Sequence, residues 1–212
     1  YNREKTVIVY SDVKAGYNPA DITFRLDRRL KSEELGNVDL VFDGEREKII
    51  EYFGDLGISA IFAILAVYLI LLFQFSSFMQ PLVILVTIPL SIIGSIFGIG
   101  LFRQPLSFTA LLGIVSLAGI VVNNAILLID FINGERQKGK DIISSCTDAV
   151  EKRFRPIMLT TITTVIGLIP LAMVGSSLMV PMAISLMSGL LVSTLLTLVI
   201  IPVVYVLFQK EE

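Results

Sequence analysis

The sequence predicts an α-helical polytopic membrane protein with five transmembrane helices, preceded by a small N-terminal α+β (β-α-β) segment outside the membrane. Three observations carry this. Hydrophobic residues make up 54% of the 212 residues and charged residues 17%, whereas soluble domains average about 25% charged. Charge is absent from Leu56 to Phe102, from Gln104 to Ile129 and from Pro156 to Gln209, and a hydrocarbon span needs about 20 apolar residues. Nine of the 17 Lys and Arg residues fall within residues 1–55, so a unit of ordinary soluble composition comes first.

Within residues 1–44, Thr6–Tyr10 is β-branched and aromatic and reads as a strand. Asn18-Pro19-Ala20-Asp21 reads as a capped helix start, with Ile22, Leu26 and Leu30 continuing at helical spacing. Val38–Phe42 alternates into the turn pair Asp43-Gly44 and reads as a second strand. One such unit cannot bury a core alone, so the rest of its sheet is expected elsewhere; the competing reading is a disordered leader. In residues 45–56, Ile49, Tyr52, Phe53 and Leu56 share one helical face, which predicts an interfacial helix leading into the first span.

Turn-forming breaks divide the transmembrane region, 57–208, into spans at 57–74, 80–102, 106–132, 157–175 and 181–208, followed by a tail at 209–212. The loop at 133–156 holds Arg136, Lys138, Lys140, Lys152, Arg153 and Arg155, so the positive-inside rule makes it cytoplasmic and puts the N-terminal segment outside and the C-terminus inside. Its Ile143, Cys146, Val150 and Phe154 form an apolar stripe, predicting a helix on the inner leaflet, with a partner-docking helix as the alternative. The chain opens at Tyr1 without a starting methionine or a signal peptide, which predicts a piece of something longer. With no histidine, no tryptophan and one cysteine, Cys146, these residues exclude a disulfide framework, a Cys/His zinc site and a Ser-His-Asp triad. No metal or cofactor is expected. The near-neutral charge, 17 basic against 19 acidic groups, offers no nucleic-acid footprint.

The third span carries the most information. At 100° per residue Gly113, Ser116, Gly119, Asn123 and Asp130 fall in one wedge, so small residues, an amide and a carboxylate share a face expected to pack against protein. Asn123 and Asn124 either have a functional role or act as interhelical glue. On the fourth span Thr160, Thr163, Thr164 and Gly167 share a face, joined by Arg153 if the helix runs back through Pro156. That face is either a polar passage or a set of hydroxyls bonded to their own helix. Arg155 reads as a charge anchor.

Three stretches then match a known family. Gly119–Ile132, Asp148–Thr161 with its Arg-Phe-Arg-Pro element, and Gly167–Leu171 closely resemble the C-terminal membrane half of resistance-nodulation-division (RND) efflux transporters of the drug-exporting, acriflavine-resistance type. Gln74–Pro81 and Ile88–Gly94 resemble the same family's first two helices after its second periplasmic domain. The resemblance implies the last five helices of a twelve-helix subunit of the bacterial inner membrane, with residues 1–44 as the end of a periplasmic porter subdomain and 209–212 cytoplasmic. It also implies a homotrimer embedded in lipid, completed by its N-terminal half and working with a periplasmic adaptor and an outer-membrane channel.

In the drug exporters two aspartates in the N-terminal half take up protons, and a lysine answers them from the position held here by Asn123. The resemblance makes Asn123, Asn124, Asp130, Arg153 and Thr160 the proton-relay candidates, with Arg153 and Thr160 on matching positions and Asn123 departing from the lysine. Gly113, Ser116, Gly119 and Gly167 are the helix-packing candidates. The expected function is proton-driven export of small molecules. Alternatives are the protein-export accessory of the same superfamily and a non-transporting scaffold or sensor domain. With no nucleophile and base pair in the spans, an enzyme is not expected. The substrate is not legible, and Met158, Met173, Met179, Met182 and Met187 read as packing residues, not a metal relay.

Overall fold

The computed structural model describes residues 7–11, 19–31, 45–176 and 178–209. These contain seven helices: α1 (Pro19–Lys31), α2 (Glu45–Phe75), α3 (Met79–Leu85), α4 (Thr87–Leu101), α5 (Phe108–Gln137), α6 (Ile142–Val174) and α7 (Met179–Gln209). Five helical stretches are long and apolar enough to cross a membrane, with α3 and α4 together making the second. The five-span reading therefore holds.

The α+β segment does not appear. Among the described residues there is no strand, and residues 7–11 are irregular, with Val7 90% and Val9 85% exposed. A strand exists only when a neighbour takes up its backbone N–H and C=O groups, and no described residue offers one. The expected strand at Val38–Phe42 lies outside the described residues. The expected helix start at Pro19 is where α1 begins.

Helix boundaries shift in instructive ways. Residues 45–56, expected to be a helix leading into the first span, are helical and continuous with that span in α2. α5 runs on to Gln137 and α6 starts at Ile142, so the long loop expected at 133–156 shrinks to a turn at 138–141. Gly139 makes that turn at φ +85°, its N–H donating to the Arg136 carbonyl at 2.9 Å. Asp141 caps α6 by accepting from the Ile143 N–H at 3.3 Å. Pro156 sits inside α6 without ending it. At 33 residues α6 is about 50 Å long, well beyond the roughly 30 Å hydrocarbon core.

The second span is interrupted at Val86. Pro89 has no N–H to give the carbonyl four residues back and crowds it. Beside this break the Thr87 hydroxyl donates to the Ile84 carbonyl at 2.7 Å, and Ser91 donates to the Ile88 carbonyl at 2.7 Å.

α7 is the central helix, packed against α4, α5 and α6, while α2 is peripheral and almost wholly exposed. Between helices in lipid the driving force is close packing, since hydrocarbon tails are as apolar as leucine. The α4–α7 crossing shows this. A Cβ on Gly98 would lie 2.1 Å from the Ser188 Cβ, and one on Gly189 would lie 2.3 Å from Leu117 and 3.1 Å from the Ser91 carbonyl oxygen. Ser95 donates across the crossing to the Ser185 carbonyl at 2.8 Å. Larger side chains fill the end near the α5–α6 turn, where Leu71, Ile84, Leu128, Ile129, Ile132, Cys146, Ile201 and Tyr205 form the main apolar core.

Candidate functional site

Antiparallel α5 and α6, joined by the short turn at 138–141, leave a groove between them of about 190 Å³, with Leu190 of α7 at its back. α5 lines it with Ile120, Asn123, Asn124 and Leu127, and α6 with Arg153, Pro156, Ile157, Thr160, Thr161 and Thr164. Four of the five relay candidates, Asn123, Asn124, Arg153 and Thr160, thus meet in one place although thirty residues separate the two stretches in sequence. The fifth, Asp130, does not join them. It lies on the exposed side of α5, seven residues or about 10 Å from Asn123 along the helix.

The polar atoms have distinct roles. The Thr160 hydroxyl donates to the Ile157 carbonyl at 2.9 Å, Thr163 to Leu159 at 2.9 Å, and Thr164 to Thr160 at 2.8 Å. In this arrangement these protons are directed to the helix's own carbonyls, so toward the groove the Thr160 and Thr164 oxygens act as acceptors. Asn124 is buried at 9% exposure, whereas Asn123 is open on the outer side of α5. The Arg153 guanidinium lies 5.1 Å from the centroid of the Phe131 ring, and its buried Nε has no hydrogen-bond partner among the described residues. The groove thus has a cationic end toward the α5–α6 turn and an accepting end about 10 Å deeper, the rise of the seven residues from Arg153 to Thr160.

The packing candidates divide. Gly113 meets α7, where a Cβ would fall 3.0 Å from the Met182 carbonyl oxygen and 2.2 Å from the Ser185 Oγ. Gly119 and Gly167 have nothing within 4 Å of a Cβ position, and Ser116 is exposed. Of the face of α5 expected to pack against protein, only Gly113 meets another helix among the described residues, while Ser116, Gly119, Asn123 and Asp130 are exposed. Within this chain α5 buries the stripe Gly113, Leu117, Val121, Ala125, Leu128 and Ile132 instead, because α7 lies on that side.

Two polar clusters were missed by sequence reasoning. At the α5–α6 turn end the Asn133 and Gln80 amides exchange hydrogen bonds at 2.8 and 3.2 Å, Tyr205 donates to Asn133 Oδ1 at 2.7 Å, and Arg136 reaches the Tyr205 hydroxyl at 3.4 Å. The only available signal was that amides and a tyrosine hydroxyl at membrane depth need partners. In the turn itself Glu135 pairs with Lys138 at 2.8 Å and Lys140 at 2.5 Å, and Lys140 also pairs with Asp148. The carboxylates of Asp148 and then Glu135 push the Lys140 ammonium above the usual lysine range. The stripe of Ile143, Cys146 and Val150, expected on the leaflet surface, lines an open apolar cleft of about 590 Å³ against Pro202, Val203 and Val206 of α7. A further cross-link ties α6 to α7, with Thr161 and Thr194 sharing a hydrogen bond at 3.0 Å.

Residues 1–209 match a family model described as the AcrB/AcrD/AcrF family. The swarming motility protein SwrC of Bacillus subtilis is 33% identical over 210 residues, which is 95% of this chain and 20% of SwrC. The multidrug resistance protein MdtC of Erwinia tasmaniensis is 40% identical over 152 residues, 70% of this chain and 15% of MdtC. A heavy metal efflux pump solved by X-ray crystallography, in its crystal form II, superposes with a TM-score of 0.75 at 25% identity, over 92% of this chain and 20% of the pump. The chain thus spans a fifth or less of the length of these relatives.

Proposed function

The chain belongs to the AcrB/AcrD/AcrF family of RND transporters, and from that premise we propose that it forms the proton-responsive membrane part of a small-molecule exporter whose acidic proton carriers lie outside these 212 residues. The observation that carries this reading is the convergence of Asn123, Asn124, Arg153 and Thr160 on one groove.

A carboxyl approaching from the open side of α5 meets three kinds of partner. Asn123 presents an amide that can donate to a carboxylate or accept from a carboxylic acid. Arg153 favours the ionised form and lowers the acid's proton affinity. Thr160, with its proton directed to the Ile157 carbonyl, acts as an acceptor and so favours the protonated form. A carboxyl shifting between the two ends of the groove changes its proton affinity as it goes. That is the property a proton-driven pump requires, and it assigns no proton-carrying role to Asp130. The exposed face with Ser116, Gly119 and Asn123 is the one such an acid-bearing helix would cover.

In this reading the protein transports without catalysing a reaction and sits in the bacterial inner membrane with its N-terminal segment periplasmic and the α5–α6 turn and C-terminus cytoplasmic. It functions as a trimer with a periplasmic adaptor and an outer-membrane channel. The basic groups around the turn, among them Arg136, Lys138, Lys140 and Lys152, support the orientation.

The test is export by the full-length gene product in an efflux-deficient bacterium at matched membrane abundance. Asn123→Leu and Thr160→Val are each expected to reduce export at least tenfold. Wild-type export by both variants would reduce the groove to helix packing.

A further inference from the structure

We propose that Phe131 is a positioning residue that parks the Arg153 guanidinium at the mouth of the groove and competes with the incoming carboxylate for it. The inference rests on the proton-responsive reading of the groove and deepens it.

Side chains on a helix lean toward its N-terminus. The N-terminus of α6 is at the turn, so Arg153 leans away from Thr160 and over α5, where Phe131 lies one turn beyond the groove residue Leu127. The Phe131 ring is held by the main apolar core, so the surface it offers is fixed. The guanidinium sits 5.1 Å from the ring centroid and Lys152 Nζ sits 5.5 Å from it. Two cations thus share one ring, and each weakens the hold on the other.

The parked position is incomplete. Arg153 Nε is buried without a partner, and Arg153 forms no ion pair with a described residue. A buried donor left unmade is costly, and a carboxylate entering the groove would take it up together with a second N–H in the paired geometry that guanidinium favours. Arg153 therefore has two alternatives, the ring when no carboxylate is present and the carboxylate when one ionises. The other charged groups beside this pair in sequence are Asp130 on α5 and Glu151, Lys152 and Arg155 on α6, while α7 gives the groove only the apolar Leu190.

A ring of this kind holds a cation by roughly two- to fivefold at a partly exposed site. Removing it makes Arg153 that much more available to the carboxylate, stabilises the ionised form, and moves the transport-versus-pH profile toward acid by about half a unit.

The experiment measures that profile for the full-length gene product in proteoliposomes. Phe131→Leu is expected to shift it acid-ward by about half a unit, and Phe131→Tyr, which keeps the ring, to leave it in place. In an Arg153→Ala background Phe131→Leu should add no shift, since the ring then has nothing to park. Lys152→Gln, at an exposed position, tightens parking and should shift the profile alkaline, by less when Arg153 is already Ala. No shift or an alkaline shift with Phe131→Leu, the same shift without Arg153, or a Lys152→Gln shift independent of Arg153 would overturn the proposal. If Arg153→Ala leaves the profile untouched, the groove reading falls with it. If Arg153→Ala moves the profile and Phe131→Leu does not, the parking role alone is lost.

Discussion

Asn133 is the hub that joins three helices near the α5–α6 turn, and Asn133→Leu tests how much that hub holds. Its Oδ1 accepts from Tyr205 at 2.7 Å and from Gln80 Nε2 at 3.2 Å, and its Nδ2 donates to Gln80 Oε1 at 2.8 Å. Hydrogen bonds between membrane helices average about 0.6 kcal/mol, so three lost bonds account for about 2 kcal/mol. Leucine also strands the Gln80 amide, in a residue 8% exposed, and the hydroxyl proton of Tyr205, which is fully buried; unsatisfied groups raise the cost to about 3 kcal/mol. Tyr205→Phe removes the bond to Asn133 and the long 3.4 Å bond from Arg136, and leaves Asn133 Oδ1 still paired to Gln80, at a cost of about 1 kcal/mol. Adding Gln80→Leu to Asn133→Leu should recover part of the loss, because replacing both partners of a buried pair by apolar groups is nearly neutral. Cys146 is the only cysteine in the sequence and belongs to the same core at 5% exposure, so maleimide labelling of Cys146 during heating in detergent reports the opening of this region. Equal midpoints for Asn133→Leu and Tyr205→Phe, or a further loss on adding Gln80→Leu, would refute the reasoning.

Two further outcomes follow from the packing and the turn. Gly98→Ala puts a methyl 2.1 Å from the Ser188 Cβ and should cost about 1–3 kcal/mol as overpacking, with part of it restored by Ser188→Gly; an unchanged melting midpoint for Gly98→Ala would show that the α4–α7 crossing is looser than its geometry. Lys140→Gln should lower hydrogen-exchange protection of amides 138–142 relative to wild type. Because Asp148 and then Glu135 raise the Lys140 pKa, the ammonium's contribution is complete at every pH below the usual lysine value near 10.4 and is lost only as pH climbs through the raised one. The difference from Lys140→Gln, corrected for intrinsic exchange, should therefore be flat from about pH 6 to pH 9, and identical protection in the two proteins would remove the lysine from the turn's stability.

The sequence by itself determined the number and rough position of the spans, the start of α1 at Pro19 and the residue types at the groove. Each follows from information local to the chain: runs without charge, an Asn-Pro start, amides and hydroxyls at helical spacing. It also placed Arg153 on the face of Thr160, because helical periodicity carries through Pro156 once that proline is accepted inside a helix. What only the tertiary structure decided is which neighbour each face meets. Gly113, Gly119 and Gly167 are alike as sequence, yet only Gly113 faces α7, while Gly98 and Gly189, which no motif marked, make close approaches. The Gln80–Asn133–Tyr205 cluster joins positions 53 and 72 residues apart, a spacing set by how α3 and α7 lie against α5 and invisible to any helical period. Thr6–Tyr10 shows the converse limit. β-branched residues favour a strand, but a strand is completed by a partner's backbone, and residues 7–11 have no such partner among the described residues.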